Sequence, residues 1–276
     1  MEYLQTILQQ FSFTYSFSLF YIIIPLVFIA GFIDAIAGGG GLLSLPAYLI
    51  AGLPPHIALA NNKFSSCFGT FFSTFRYYTH GLIDLKVAII SAIFALLGSY
   101  LGTKTVLVLD AFFLNYILVV LLPVITIFTY LNKNVGHENN SKEYSLQKKI
   151  FISSLAGLFI GFYDGFFGPG TGSFLILIFA TVLKYDFTTA NGNTKIVNLA
   201  SNIAALTAFI IDGKVLFLIG IPAALAGIAG NLLGSKYVII KGNRLIRPMF
   251  LIVFIFLFIK IIIDLLKTAN SLYYTR

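Results

Sequence analysis

The chain has 276 residues, of which 58% are hydrophobic and 10% charged, with 29 Phe and a mean hydropathy of +0.94, a balance that excludes a soluble globular domain. Its formal net charge of +8 is scattered along the sequence rather than gathered on one face, which argues against nucleic acid as a partner. Cys67 cannot form an internal disulfide, and His56, His80 and His137 stand too far apart for a zinc site. No cofactor and no metal is expected.

A helix that crosses a bilayer needs about 20 apolar residues. The apolar runs here suffice for about eight such crossings, so the sequence predicts an all-α polytopic membrane protein with the lipid bilayer as its main surroundings. The first run, about 11–30, has no basic leader and no small-residue cleavage site, and it is read as a retained span. In chain order, the predicted segments of the first half lie at 12–34, 42–51, 56–79, 87–107 and 111–131. A polar stretch, 132–149, is rich in Asn, Lys, Glu and Ser and reads as the linker. Segments at 150–167, 172–184, 187–211, 214–238 and 245–266 complete the second half. The chain therefore divides into a first membrane repeat, 1–131, a linker, and a second membrane repeat, 150–276.

Special residues recur between the halves at a fixed offset, the signature of a duplication. Asn61, Lys63, Gly81, Gly98, Gly102 and Lys104 match Asn193, Lys195, Gly213, Gly230, Gly234 and Lys236 at 132 positions. Gly31, Asp34, Gly38 and Gly40 match Gly161, Asp164, Gly168 and Gly170 at 130. An odd number of crossings per half would invert one repeat relative to the other. Charge agrees: Lys236, Lys241, Arg244 and Arg247 crowd one connection, whereas its counterpart from Lys104 to Asp110 nets zero. By the positive-inside rule the first is cytoplasmic and the second is not. The linker, with Lys133, Lys142, Lys148 and Lys149 against Glu138 and Glu143, is then cytoplasmic too. Both termini fall outside, against the mild pull of Lys267 and Arg276.

The second segment of each half is short and follows a glycine-rich break: Gly38, Gly39, Gly40 and Gly41 in one, Gly168, Pro169, Gly170, Thr171 and Gly172 in the other. Short apolar segments of this kind read as half-helices or re-entrant elements. A break at membrane depth survives only against protein or a cavity. The half-helix after it turns free N–H groups and a positive dipole end on whatever lies there, which favours an anion. Close helix packing is the alternative use of the glycines.

The third segment carries Lys63 about 12 Å from its start at Pro55, at 1.5 Å per residue. Ser66, Thr70 and Ser73 share its face, and in the other half Asn191, Asn198 and Asn202 share the face of Lys195. Ionisable residues inside a membrane mark a substrate path or pair with an opposite charge. The sequence leaves both open, with Asp34 and Asp164 as the pairing partners. These aspartates are also candidates for proton coupling, or for capping the N–H groups that the breaks free; their duplicated position favours capping. Arg76, whose counterpart is Ala208, is expected at a membrane edge, His56 at a helix start, and Cys67 as buried filler.

These features together resemble the sulfite exporter TauE/SafE family, also called the toluene sulfonate uptake permease family. The resemblance covers nearly the whole chain. It rests on Gly31 to Asp34 running into Gly38–Gly41 and Leu42–Pro46, on Gly52 to Pro55 and Ala58 leading to Asn62 and Lys63, on Arg76 before Gly81, and on Gly161, Phe162, Asp164, Gly168, Gly170 and Gly172. It implies an inner-membrane secondary transporter of sulfite, sulfonates or related sulfur anions. Asn61 stands where the family often has Thr, and Pro169 and Thr171 where small residues are usual, so the identity of the anion does not follow.

The expected function is transport of a small anion by alternating access around a midplane site. Its expected ligands are the glycines of both breaks with Thr171, Asn62, Lys63, Ser66, Asn193, Thr194, Lys195 and Asn198. The alternatives are an anion channel and a transporter of a non-sulfur anion. No HExxH, GxSxG or close His/carboxylate set supports an enzyme. The abundance of Phe, Ile, Asn and Lys without Trp fits an A+T-rich genome and a multi-pass protein of a bacterial inner membrane, as a monomer or homodimer.

Overall fold

The computed structural model describes residues 16–109, 139–242 and 244–245. Among them are eight α-helices, one short 3-10 turn at Ser141–Glu143 and no strand. The helices are α1 (Ser16–Ala37), α2 (Gly41–Ile50), α3 (Pro55–Thr79), α4 (Leu85–Leu107), α5 (Leu146–Phe166), α6 (Thr171–Thr181), α7 (Phe187–Ile211) and α8 (Phe217–Lys241). The expected segment at 111–131 and, beyond Leu245, the one at 245–266 lie outside the described residues, as do Lys133, His137, Glu138, Arg247, Lys267 and Arg276.

Local chemistry fixes the helix ends. Pro54 and Pro55 open α3, where a missing N–H costs nothing. The Asp186 side chain accepts the N–H groups of Thr188 and Thr189 to start α7, and Ser145 accepts that of Lys148 to start α5. This cap draws the polar residues Gln147, Lys148 and Lys149 into a first helical turn, so the helix begins earlier than the apolar run alone suggests. At α8 the shift is the other way: Gly213 turns with φ +67 and the chain stays extended to the N-cap Leu216.

Five helices are long and apolar enough to cross a membrane: Phe20–Ala37 within α1, α4, α5, α7 and α8. Of the about eight full crossings expected, five are found among the described residues; α2 and α6 are the two short segments that were expected, and two further expected crossings fall on residues that are not described. The third helix differs for another reason. Asn61, Asn62, Lys63, Ser65, Thr70 and Ser73 are all buried, while Phe71 and Phe75 on the other side are 53% and 62% exposed. A polar face turned to protein and an aromatic face turned outward lower the mean hydropathy of a helix that is still lipid-compatible.

Small residues bring helix backbones together in corresponding pairs. A Cβ on Gly98 of α4 would collide with the Leu158 carbonyl of α5, and one on Gly230 of α8 with the Phe28 carbonyl of α1. Likewise Gly161 lies against Ala95, and Gly31 against Gly227. Close approach of this kind replaces the hydrophobic driving force that lipid does not supply. Between the two helix pairs, α3 and α7 pack antiparallel. Lys63 reaches Asn202 at 3.2 Å, and eleven residues further on Thr74 donates to the Lys195 carbonyl at 3.1 Å.

Candidate functional site

Both breaks begin with a glycine in the left-handed region, Gly38 at φ +70 and Gly168 at φ +96, a backbone that a residue with a Cβ adopts only under strain. Gly38 closes α1 by donating to the Asp34 carbonyl at 2.8 Å. The second break is tied down by Tyr163, whose hydroxyl donates to the Pro169 carbonyl at 2.6 Å, and by Thr171, whose hydroxyl donates to the Gly168 carbonyl at 2.6 Å. The breaks meet each other directly. The Ser173 N–H donates to the Gly38 carbonyl at 3.2 Å, and the Ser173 hydroxyl donates to the Ala37 carbonyl at 2.7 Å. A Cβ on Gly172 would stand 2.5 Å from the Gly38 Cα, so no larger residue fits between them.

Carbonyls at the end of α1 are satisfied from a distance. The Asn191 amide donates to the carbonyls of Ala35 and Ile36 at 3.0 and 2.8 Å. Tyr77 also donates to the Ala35 carbonyl at 2.9 Å and accepts from Asn191 at 2.7 Å. The equivalents of Asn191 and Tyr77 are Leu59 and Phe209, so this clamp exists on one break only.

The charged residues pair across the halves. Lys63 lies 2.7 Å from Asp164, at side-chain exposures of 3% and 6%, and Lys195 lies 3.1 Å from Asp34, at 0% and 19%. Lys195 also donates to the Asp34 carbonyl, and Ser201 donates to the second oxygen of Asp164. Neither carboxylate accepts an N–H of its own break among the described residues, so ion pairing takes the place of the expected capping. Buried charges need such partners, since an unpaired ion in low dielectric is costly.

A small cavity of about 20 Å³ lies between the breaks, room for about one water. Its walls bring together Asp34, Gly38, Gly41, Asn62, Lys63 and Ser66 from the first half. The second half contributes Asp164, Gly168, Thr171, Gly172 and Asn198. Thr70 and Asn202 complete it; both sit on the polar faces of Lys63 and Lys195. The Asn198 Oδ1 is buried without a hydrogen-bond partner.

The other expected ligands lie elsewhere. Gly40 lines a neighbouring cavity, and Gly39 and Gly170 form the turns that lead into α2 and α6, Gly170 with φ +84. Asn193 accepts the Asp84 N–H at 2.7 Å and so anchors the chain before α4. Thr194 is buried with its hydroxyl unpartnered, and Lys195 stands behind Asp34. Arg76 donates to the Leu232 carbonyl of α8, tying two helices together, and the His56 ring lies 3.1 Å from the Val106 carbonyl of α4. Cys67 is only partly buried.

Comparison with known proteins identifies the family. The family profile described as "Sulfite exporter TauE/SafE" matches residues 23–261. "Probable membrane transporter protein ORF9" of Sinorhizobium sp is 38% identical over 86% of this chain and 90% of its own length. A "Probable membrane transporter protein" of Haemophilus influenzae is 35% identical over 86% of this chain and 92% of its own. "Probable membrane transporter protein YfcA" of Escherichia coli is 37% identical over 86% and 87%. No solved structure matches. The chain is a multi-pass membrane protein of the sulfite exporter TauE/SafE family of membrane transporters.

Proposed function

We propose that the protein is a secondary transporter that carries a small anion, a sulfur oxyanion such as sulfite or an organosulfonate, across a bacterial inner membrane. Two inverted repeats alternate access to a site between the breaks. The observation that carries this reading is the meeting of the two breaks beside Lys63 and Lys195, each paired with the aspartate of the other half. The antiparallel packing of the equivalent helices α3 and α7 and the matched glycine contacts support the inversion. The family's description supports a sulfur oxyanion; the relatives' names speak of transport without a cargo.

The geometry suits an exchange of partners. Lys63 and Lys195 are neutralised by Asp164 and Asp34, and a cavity of about 20 Å³ is smaller than an oxyanion. Binding then requires the breaks to separate and a lysine to trade its carboxylate for the anion. A compact ammonium suits that exchange better than a two-pronged guanidinium. Asn62, Thr171 and Asn198 offer hydrogen bonds around the same space.

The test is the thermal midpoint of the detergent-purified protein in sulfite, sulfate, thiosulfate, sulfoacetate, taurine and chloride at equal ionic strength. A ligand of the folded state raises the midpoint by mass action. A rise with one sulfur anion, absent in Lys63→Ala/Asp164→Ala, is expected. Equal midpoints in all of them would contradict the reading.

A further inference from the structure

The two aspartates are held differently, although they occupy equivalent positions. Asp164 has both oxygens engaged, one by Lys63 and one by Ser201. The residue equivalent to Ser201 at Asp34 is Gly69, which offers no donor. Asp34 has one oxygen on Lys195, and its side chain is 19% exposed against 6% for Asp164. That exposure opens into two spaces, because Asp34 and Ser66 line both the cavity between the breaks and a second one of about 20 Å³.

Half of the residues on the wall of the second cavity carry side-chain oxygens. Ser44 and Ser65 lie on its wall with Asn231, which is 2% exposed. The Asn231 amide nitrogen donates to the Gly227 carbonyl at 3.0 Å, which fixes the orientation of the amide, and its Oδ1 has no hydrogen-bond partner. A buried acceptor left unpaired costs free energy unless a donor or cation fills the need. In the other half the positions equivalent to Ser44, Ser65 and Asn231 are Phe174, Val197 and Ser99. At these positions the other half keeps one hydroxyl, that of Ser99, against the two hydroxyls and the amide beside Asp34.

The geometry points to a sodium site in this chamber, formed by the Asp34 carboxylate, the Asn231 Oδ1 and the hydroxyl of Ser66, whose ion is carried together with the anion. Oxygen donors with one carboxylate suit a hard monovalent cation. Among the described residues no group of three His, Cys, Asp or Glu offers a divalent metal the charge it needs. The free space, about 20 Å³, suits one dehydrated ion or one water. Charge makes the coupling: the two lysines and two aspartates sum to zero, so an anion entering alone leaves a net negative cluster in low dielectric. A sodium ion at Asp34 takes over from the Lys195 ammonium and frees it to face the anion.

This inference rests on the transport reading for its purpose but is tested by binding. The thermal midpoint of the purified protein is measured in sodium, potassium and choline chloride at equal ionic strength and pH, without a sulfur anion. A saturable rise with sodium is expected, with the half-saturating concentration at least tenfold higher in Asn231→Ser, the residue of the other half. Asp34→Asn is expected to abolish the rise. Asn231→Ser leaves the Lys195 pair intact, so it reports even where Asp34→Asn fails to fold. Equal midpoints in the three salts, an unchanged response in Asn231→Ser, or a dependence on pH with none on sodium would overturn the proposal. Sodium binding without any response to sulfur anions would leave the cation site standing and remove the anion reading instead.

Discussion

Lys63 and Asp164 lie 2.7 Å apart and are almost wholly buried, so removing either strands a charge without a partner. Lys63→Ala is expected to cost about 3–5 kcal/mol of stability, and Lys63→Ala/Asp164→Ala to recover most of it, as read by unfolding in detergent. No such recovery would mean that the lysine is held by groups other than Asp164. Asn191→Leu places the residue of the other half at the clamp and leaves the Ile36 carbonyl without its donor. A loss of about 1–3 kcal/mol is expected, against near-neutrality if the clamp does nothing. The need for partners was legible in the sequence, because lysine at membrane depth demands one. Which aspartate each lysine takes was not, since the crossing depends on how α3 and α7 pack. The clamp of Asn191 and Tyr77 was equally hidden: Leu59 and Phe209 break the repeat at those positions.

At the scale of the helices, the glycine contacts make opposite predictions for similar-looking residues. A side chain on Gly98 or Gly230 would enter the backbone of the neighbouring helix, whereas Gly81 has nothing within 4 Å of a Cβ and is constrained by its φ of +66 alone. Gly98→Leu and Gly230→Leu are expected to abolish a monodisperse peak in size-exclusion chromatography. Gly81→Asn should leave it, because asparagine tolerates the left-handed region. A monodisperse Gly98→Leu protein would show that α4 and α5 can separate. The half-helices α2 and α6 were readable from the sequence, because a glycine break followed by a short apolar run has few other uses at membrane depth. So was the start of α3 at Pro55. The start of α5 was obscured because Ser145 recruits charged residues into the first turn, and hydropathy does not register a cap.

For the whole molecule, the proposed inversion of the two halves predicts that equivalent connections lie on opposite faces of the membrane. Lys104 and Lys236 are equivalent and both exposed. In a Cys67→Ala background, Lys104→Cys should react with a membrane-impermeant maleimide from outside intact cells, and Lys236→Cys only after permeabilisation. Labelling of both from one side would contradict the inverted arrangement. The offsets that point to a duplication lie along the chain itself. That the two breaks face one site was expected from the sequence; the direct contact between Gly38 and Ser173 was not, because nothing local to either glycine run encodes it. The most direct test of the central claim is uptake of radiolabelled sulfite into proteoliposomes by the wild-type protein and by Lys63→Ala/Asp164→Ala. Uptake by the wild type is expected and, with the charges removed as a pair and the fold retained, a loss of at least a hundredfold in the variant. Uptake by the variant at the wild-type rate would make the crossed ion pairs a brace between the halves and contradict their part in binding the anion.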